Sequence, residues 1–377
     1  MWEDGILEKR YEIGDIKELR VLGLTNGRRN PLTLFWTASG FEVGFKGTEL
    51  WCEFESDYSC YEQWIAVFVN GALLSRQMLP KGRTKVCLLR NMQEQKENRV
   101  CVLKEVQPMP ADEQSVLSVH ALYADGEFFE LPEKNCKIEF IGDSITSGEG
   151  SYGSCGENDW IAQWFSTSRA YPFMVAKELS AEYRIFSQSG NGLCCAWDNN
   201  RESIIPLYYE QVCSVLSGER NISLGGKEQH DFSSWQPDFI VINLGTNDAA
   251  AFDQPAWTDP KTQKSYKMER GADGLPKPEC MEEITRCATA FLHTVRKNNP
   301  KAEILWCLGL MGDLTAPAVR EGIRRYQEET GDLKVSFIPL PEISGDQIGA
   351  RCHPCVKGHE MAAGVIAKAI RERISGK

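Results

Sequence analysis

Apolar and polar positions follow two different rhythms along the chain. Residues 19–130 hold short apolar runs broken by turn residues, and Leu32–Trp36, Phe41–Phe45, Glu49–Phe54, Ile65–Val69 and Lys85–Leu89 read as strands. Phe41-Glu-Val-Gly-Phe45 alternates with period two, as a strand with one face on a core does. Val69-Asn-Gly-Ala72 is a hairpin-type turn between two such runs. Many short strands with few helical stretches predict an antiparallel β-sandwich.

From Lys137 the rhythm becomes strand, loop, helix, repeated. The pattern predicts strands at 137–142, 182–187, 238–244, 303–309 and 334–338, and helices at 171–180, 201–216, 281–297, 316–329 and 356–373. That alternation predicts a three-layer α/β/α domain with a parallel sheet and helices on both faces. Leu131-Pro-Glu-Lys-Asn135 reads as the linker, which divides the chain into domains 1–133 and 134–377. Stretches 218–236 and 250–279 read as long loops, of the kind that shape a site on an α/β scaffold.

Composition narrows the function classes. With 377 residues, 42% hydrophobic and 25% charged, the chain has the make-up of an ordinary globular protein of two domains. A net charge of −11 without a basic patch argues against nucleic acid or an anionic membrane as partner. No run of eighteen apolar residues predicts a membrane span. The first ten residues are charge-rich and do not read as a signal peptide. The fourteen cysteines are therefore expected as reduced thiols in a cytoplasmic protein; if a leader has been removed the protein is a secreted one and disulfides are open to it.

Candidate chemistry sits just past the predicted strands. Ile138–Ile141 runs straight into Gly142-Asp143-Ser144, which places a serine hydroxyl beyond the carboxyl end of a buried strand, where open α/β sheets bind ligands. Read alone, the same tripeptide reads first as a helix N-cap. The second strand ends in Ser187-Gln-Ser-Gly190-Asn-Gly192, whose backbone N–H groups can face a ligand, and the third in Gly245-Thr-Asn247-Asp248. Asn247 can donate to an oxyanion, or cap a helix; Gly190 can turn its N–H to a ligand, or do no more than permit a tight turn. His353, in Cys352-His-Pro354 before the last helix, is placed to reach Ser144 as a general base. A nucleophile, a base and oxyanion donors, each beyond a predicted strand and in this order, together describe acyl transfer.

These four blocks resemble the SGNH, or GDSL-type, hydrolase superfamily over residues 138–375. The resemblance implies Ser144 as nucleophile, His353 as base, and an oxyanion hole built from the N–H groups of Ser144 and Gly190 with the amide of Asn247. A jelly-roll-like β-sandwich in front of such a domain, with Gly-Asp-Ser-Ile-Thr and a terminal His353-Pro-x-x-x-Gly-His359, resembles carbohydrate esterase family 2. That family removes acetyl groups from plant polysaccharides such as xylan or mannan. The expected function is a serine O-acetyl esterase acting on acetylated oligosaccharides, with no metal and no organic cofactor. The other readings are an SGNH lipase, lysophospholipase or thioesterase, and a glycan-binding protein that kept the fold without catalysis.

The superfamily places Asp three residues before the histidine, and here that position is Ala350. A Ser–His dyad is therefore expected, with a backbone carbonyl holding the imidazole as in some esterase-family members. Asp346 is the nearest acid and can serve as third member only if its loop folds back. Trp160, Trp164 and Trp197 follow the first two blocks and can stack on sugar rings or fill core; Asp248 is expected to hold loop backbone and can also touch substrate. Cys352 and Cys355 are read as loop thiols, Cys194 and Cys195 as core or loop thiols, and His359 as a helix-end structural residue.

Overall fold

The computed structural model describes residues 9–376, so the opening segment read for a leader lies, up to residue 8, outside the described residues. The chain forms two compact units. One holds the described residues up to Lys134 together with Ile161–Gln163 and Gln211–Gln229, and the other holds Asn135–Trp160, Trp164–Glu210 and the described residues from His230. The stretch 134–377, expected as one continuous domain, thus gives two of its segments to the first unit.

The first unit is built on antiparallel strands: β1 (Lys9–Glu12), β2 (Arg20–Leu22), β3 (Leu32–Thr33), β4 (Gly40–Lys46), β5 (Leu50–Asp57), β6 (Trp64–Val69), β7 (Ala72–Met78), β8 (Gly82–Leu89), β9 (Glu97–Lys104), β10 (Val116–Ala124) and β11 (Glu127–Phe129). One sheet runs β1-β10-β5-β8 with β3 also on β10; the other runs β11-β4-β9-β6-β7 with β2 also on β4. Strand β5 shows the cause of the layering: Leu50, Cys52, Phe54 and Ser56 are buried, and Trp51, Glu53, Glu55 and Asp57 between them are not. Phe41, Val43 and Val102 from one sheet share a core with Phe54, Leu117 and Leu122 from the other. Asn70 and Gly71 both take positive φ, the twist that a two-residue hairpin requires.

The second unit carries β12 (Lys137–Gly142), β13 (Glu182–Ser187), β14 (Phe239–Asn243), a small hairpin of β15 (Trp257–Thr258) and β16 (Ser265–Tyr266), β17 (Glu303–Leu308) and β18 (Val335–Pro339). A parallel sheet runs β13-β12-β14-β17-β18. Every residue of β14 is buried, as in a sheet covered on both faces. Helices Tyr171–Glu178, Pro278–Asn298, Ala316–Thr330 and Val356–Ser375 match the expected ones within a few residues. Because β13 and β14 flank β12 on opposite sides, the chain reverses direction across the sheet there, and the loops leaving those strands diverge around a crevice.

One expected helix fails. Of 201–216 only Ile205–Tyr208 is helical, with Pro206 in its first turn. Further on, Val212 N–H donates to Glu228 O and Cys213 N–H to Gly226 O, while Trp36 Nε1 donates to Val212 O. The helical spacing of Val212, Val215 and Leu216 therefore serves burial in extended and turning chain. The stretch 218–236 is also more ordered than a loop, with helix Glu219–Ser223 and a 3₁₀ turn at Phe232–Ser234.

Candidate active site

Ser144 opens a single helical turn, Ser144–Ser147, directly after β12. Gly142 makes this possible, since a Cβ there would lie 2.0 Å from Thr146 Oγ1. Asp143 caps the turn by accepting from Ile145 N–H at 3.0 Å. The cap reading of this tripeptide is thus met by Asp143, and Ser144 takes no part in the capping.

His353 Nε2 lies 2.8 Å from Ser144 Oγ. Its Nδ1 lies 2.8 Å from the carbonyl oxygen of Arg351. A carbonyl only accepts, so Nδ1 carries the proton and Nε2 presents its lone pair to the serine hydroxyl. Arg351 reaches this geometry in the left-handed region, φ 55° and ψ 32°, and Cys352 follows at φ 59°. The conformation is held from several sides: Arg351 N–H donates to Glu157 O at 2.7 Å, and its guanidinium donates to Asn158 O at 3.0 Å and to Glu149 Oε1 at 2.7 Å.

The residues expected as oxyanion donors lie just past the next two strands. Gly190 has φ +79°, and among the described residues neither its N–H nor that of Ser144 makes a hydrogen bond. Asn247 Nδ2 donates to Asn191 O at 2.9 Å and lies 3.2 Å from Asp143 Oδ2. Asp248 is fully buried and accepts from the N–H groups of Leu193, Cys194 and Cys195 at 2.8, 2.6 and 3.2 Å. Its expected part in holding the loop is realised, but that burial removes it from substrate reach. Burial, with Asp248 and Glu149 as charged neighbours, raises the Asp143 carboxyl to about 7.

Asp346 does not fold back toward His353. It is exposed and paired with Lys357 at 2.5 Å, so the third-member expectation fails. Trp197 is 49% exposed beside Gly190, its backbone N–H donating to Gly190 O at 3.1 Å. Trp160 is partly buried, edge-on to Phe165, and Trp164 lies against Gly153 with a buried Nε1. His359 is buried, stacks on Tyr171 and accepts from Tyr171 N–H at 3.3 Å.

The expectation of fourteen reduced thiols is corrected at one place. Cys194 is disulfide-bonded to Cys287 of helix Pro278–Asn298, Cα to Cα 5.9 Å, and the remaining twelve cysteines are free. Among the described residues, no group of three or more His, Cys, Asp or Glu is arranged to hold a metal ion. No described helix is long and apolar enough to cross a membrane.

Two residues at this site were not singled out from the sequence, Glu149 and Arg351. Glu149 is 2% exposed, and its Oε2 accepts from Ser189 Oγ at 2.7 Å. The signal available was a charged residue between two glycines, Gly148-Glu149-Gly150, five positions after the serine.

Residues 140–361 match the family described as GDSL-like lipase/acylhydrolase. The acetyl xylan esterase Est2A from the rumen bacterium Butyrivibrio proteoclasticus is 41% identical, over 98% of this chain and 99% of its own, with a TM-score of 0.96. A family two carbohydrate esterase from Clostridium thermocellum has the same fold, with 24% identity, 95% of this chain and 99% of its own covered, and a TM-score of 0.77. The cellulase/esterase CelE of Acetivibrio thermocellus is 26% identical over 352 residues; these cover 90% of this chain, which spans only 37% of CelE. With this family model matched over more than half of its length, the chain belongs to the GDSL-like lipase/acylhydrolase family of serine esterases.

Proposed function

We propose that this protein is a carbohydrate O-acetyl esterase that deacetylates xylan- or mannan-type oligosaccharides by a serine–histidine mechanism. The observation that carries the reading is the 2.8 Å contact between Ser144 Oγ and a His353 Nε2 whose tautomer is set by the Arg351 carbonyl. His353 takes the Ser144 proton as Oγ attacks the acetyl carbonyl, then gives it to the sugar oxygen as the ester C–O bond breaks, so that the sugar leaves with a free hydroxyl. The tetrahedral oxyanion is met by the N–H groups of Ser144 and Gly190 and by Asn247 Nδ2, whose longer 3.2 Å contact to Asp143 is the one an oxyanion replaces. Water, activated by His353, releases acetate from the acetyl-serine.

The sugar reading draws on the name of Est2A and on Trp197, an exposed aromatic face next to Gly190 on which a pyranose ring can stack. The test is acetate release from acetylated xylo-, manno- and cello-oligosaccharides, with Ser144→Ala as control. Release that depends on Ser144 and favours one backbone supports the proposal. Hydrolysis of p-nitrophenyl octanoate well above p-nitrophenyl acetate, with no acetate from any sugar, replaces it with a lipase-type activity.

A further inference from the structure

The histidine of this site lacks a carboxylate at Nδ1, yet a carboxylate stands beside its ring. Glu149 Oε2 is 3.9 Å from His353 Nε2, too far for a hydrogen bond and near enough for direct charge–charge attraction. Glu149 is 2% exposed, and a carboxylate is costly there unless its oxygens are satisfied. Both are: Oε1 accepts from Arg351 Nε and Oε2 from Ser189 Oγ, each at 2.7 Å. Its own N–H donates to Ser144 O at 3.0 Å, which fixes it to the nucleophile turn.

Those partners are the parts of the machinery that have no acid of their own. Arg351 supplies the carbonyl that sets the His353 tautomer, from a left-handed backbone that its side chain helps to hold. Ser189 precedes Gly190, whose N–H faces the oxyanion. The proton transfer from Ser144 turns His353 into an imidazolium, and Glu149 is the closest negative charge to the nitrogen that receives it.

We propose that Glu149 is a positioning residue for His353. It locks Arg351 and Ser189, and its charge stabilises the imidazolium from the nucleophile side of the ring, in place of the acid that Ala350 lacks. This rests on the reading of Ser144 and His353 as nucleophile and base. The charged and titratable groups set around the imidazole are Glu149 on the segment after β12, Arg351 on its own loop, and His359 on the last helix. Asp143 also feels Glu149, and His359 is kept neutral by burial.

The test is the pH profile of kcat/KM for p-nitrophenyl acetate, with second-order labelling by a fluorophosphonate, in Glu149→Gln, Glu149→Asp and Arg351→Gln. Glu149→Gln removes the negative charge and leaves Arg351 unneutralised, so kcat falls about tenfold with KM little changed, and the acidic limb moves to lower pH. Glu149→Asp restores the wild-type limb because the charge returns. Arg351→Gln leaves Glu149 unneutralised, and its limb moves the other way, to higher pH. Should Glu149→Gln not fold, the Arg351→Gln limb decides alone. A lower kcat with limbs unmoved in all variants reduces Glu149 to a structural ion pair and overturns the proposal. A wild-type protein that neither hydrolyses the ester nor takes the label overturns the esterase reading itself, an outcome plainly different from active protein with unmoved limbs.

Discussion

His353 Nδ1 has a neutral partner, the Arg351 carbonyl, and no acid is needed to hold the ring. Asp346→Ala should therefore leave kcat for p-nitrophenyl acetate within about twofold of wild type, since it breaks only an exposed ion pair with Lys357. A large drop would reinstate Asp346 as a third member. Asn247→Ala should lower kcat by about 10²–10³, the cost of one oxyanion donor, with a much smaller change in KM. Ser144, Gly190, Asn247 and His353 could be picked out from residue type and position. Arg351 could not, because every residue owns a carbonyl and only the backbone angles decide where it points.

At the scale of elements, the loop after β13 is organised from outside itself. Asp248, on the helical turn Thr246–Ala250 after β14, accepts from three of its N–H groups, and the Cys194–Cys287 bridge ties it to helix Pro278–Asn298. Asp248→Ala strands those buried donors, so the denaturation midpoint should fall by the equivalent of about 2 kcal/mol, with kcat reduced as Gly190 loses its support. Unchanged stability and kcat would mean that the loop holds its shape alone. In denaturant without reductant, twelve thiols should titrate and two more only after reduction; fourteen at the outset would return Cys194 and Cys287 to the reduced state. The strand Phe239–Asn243 was legible because a parallel strand buried on both faces is a near-continuous apolar run. The stretch 201–216 was not. Its period of apolar residues fits a helix, and the choice against one lies in partners at 36, 226 and 228.

For the whole molecule, buried titratable groups set the response to acid. Burial lowers His359 to about 3 from its ordinary 6.5, and burial and then Arg184 lower His230 to about 3. As pH falls from 6.5 toward 3 the unfolded chain binds protons that the folded one refuses, so both residues stabilise the fold above 6.5 and lose that contribution in acid. Asp143 has the opposite sign. With its carboxyl raised from 3.8 to about 7, its contribution is present below 3.8 and is lost as pH rises through 7. A single variant separates them: in His359→Asn, the gap between urea midpoints at pH 7.5 and pH 4.5 should be smaller than in wild type. An equal gap would show that His359 titrates alike in both states.

By itself the sequence determined the α/β class, the strand-end positions of Ser144, Gly190 and Asn247, and the absence of an acid at Ala350, because periodicity, turn chemistry and residue type are local properties. Tertiary structure alone decided what stands beside His353, which thiols pair, and which unit takes residues 211–229. These depend on contacts between segments far apart in the chain. A buried carboxylate such as Glu149 becomes meaningful only once folding has taken it out of water and set Arg351, Ser189 and the imidazole around it.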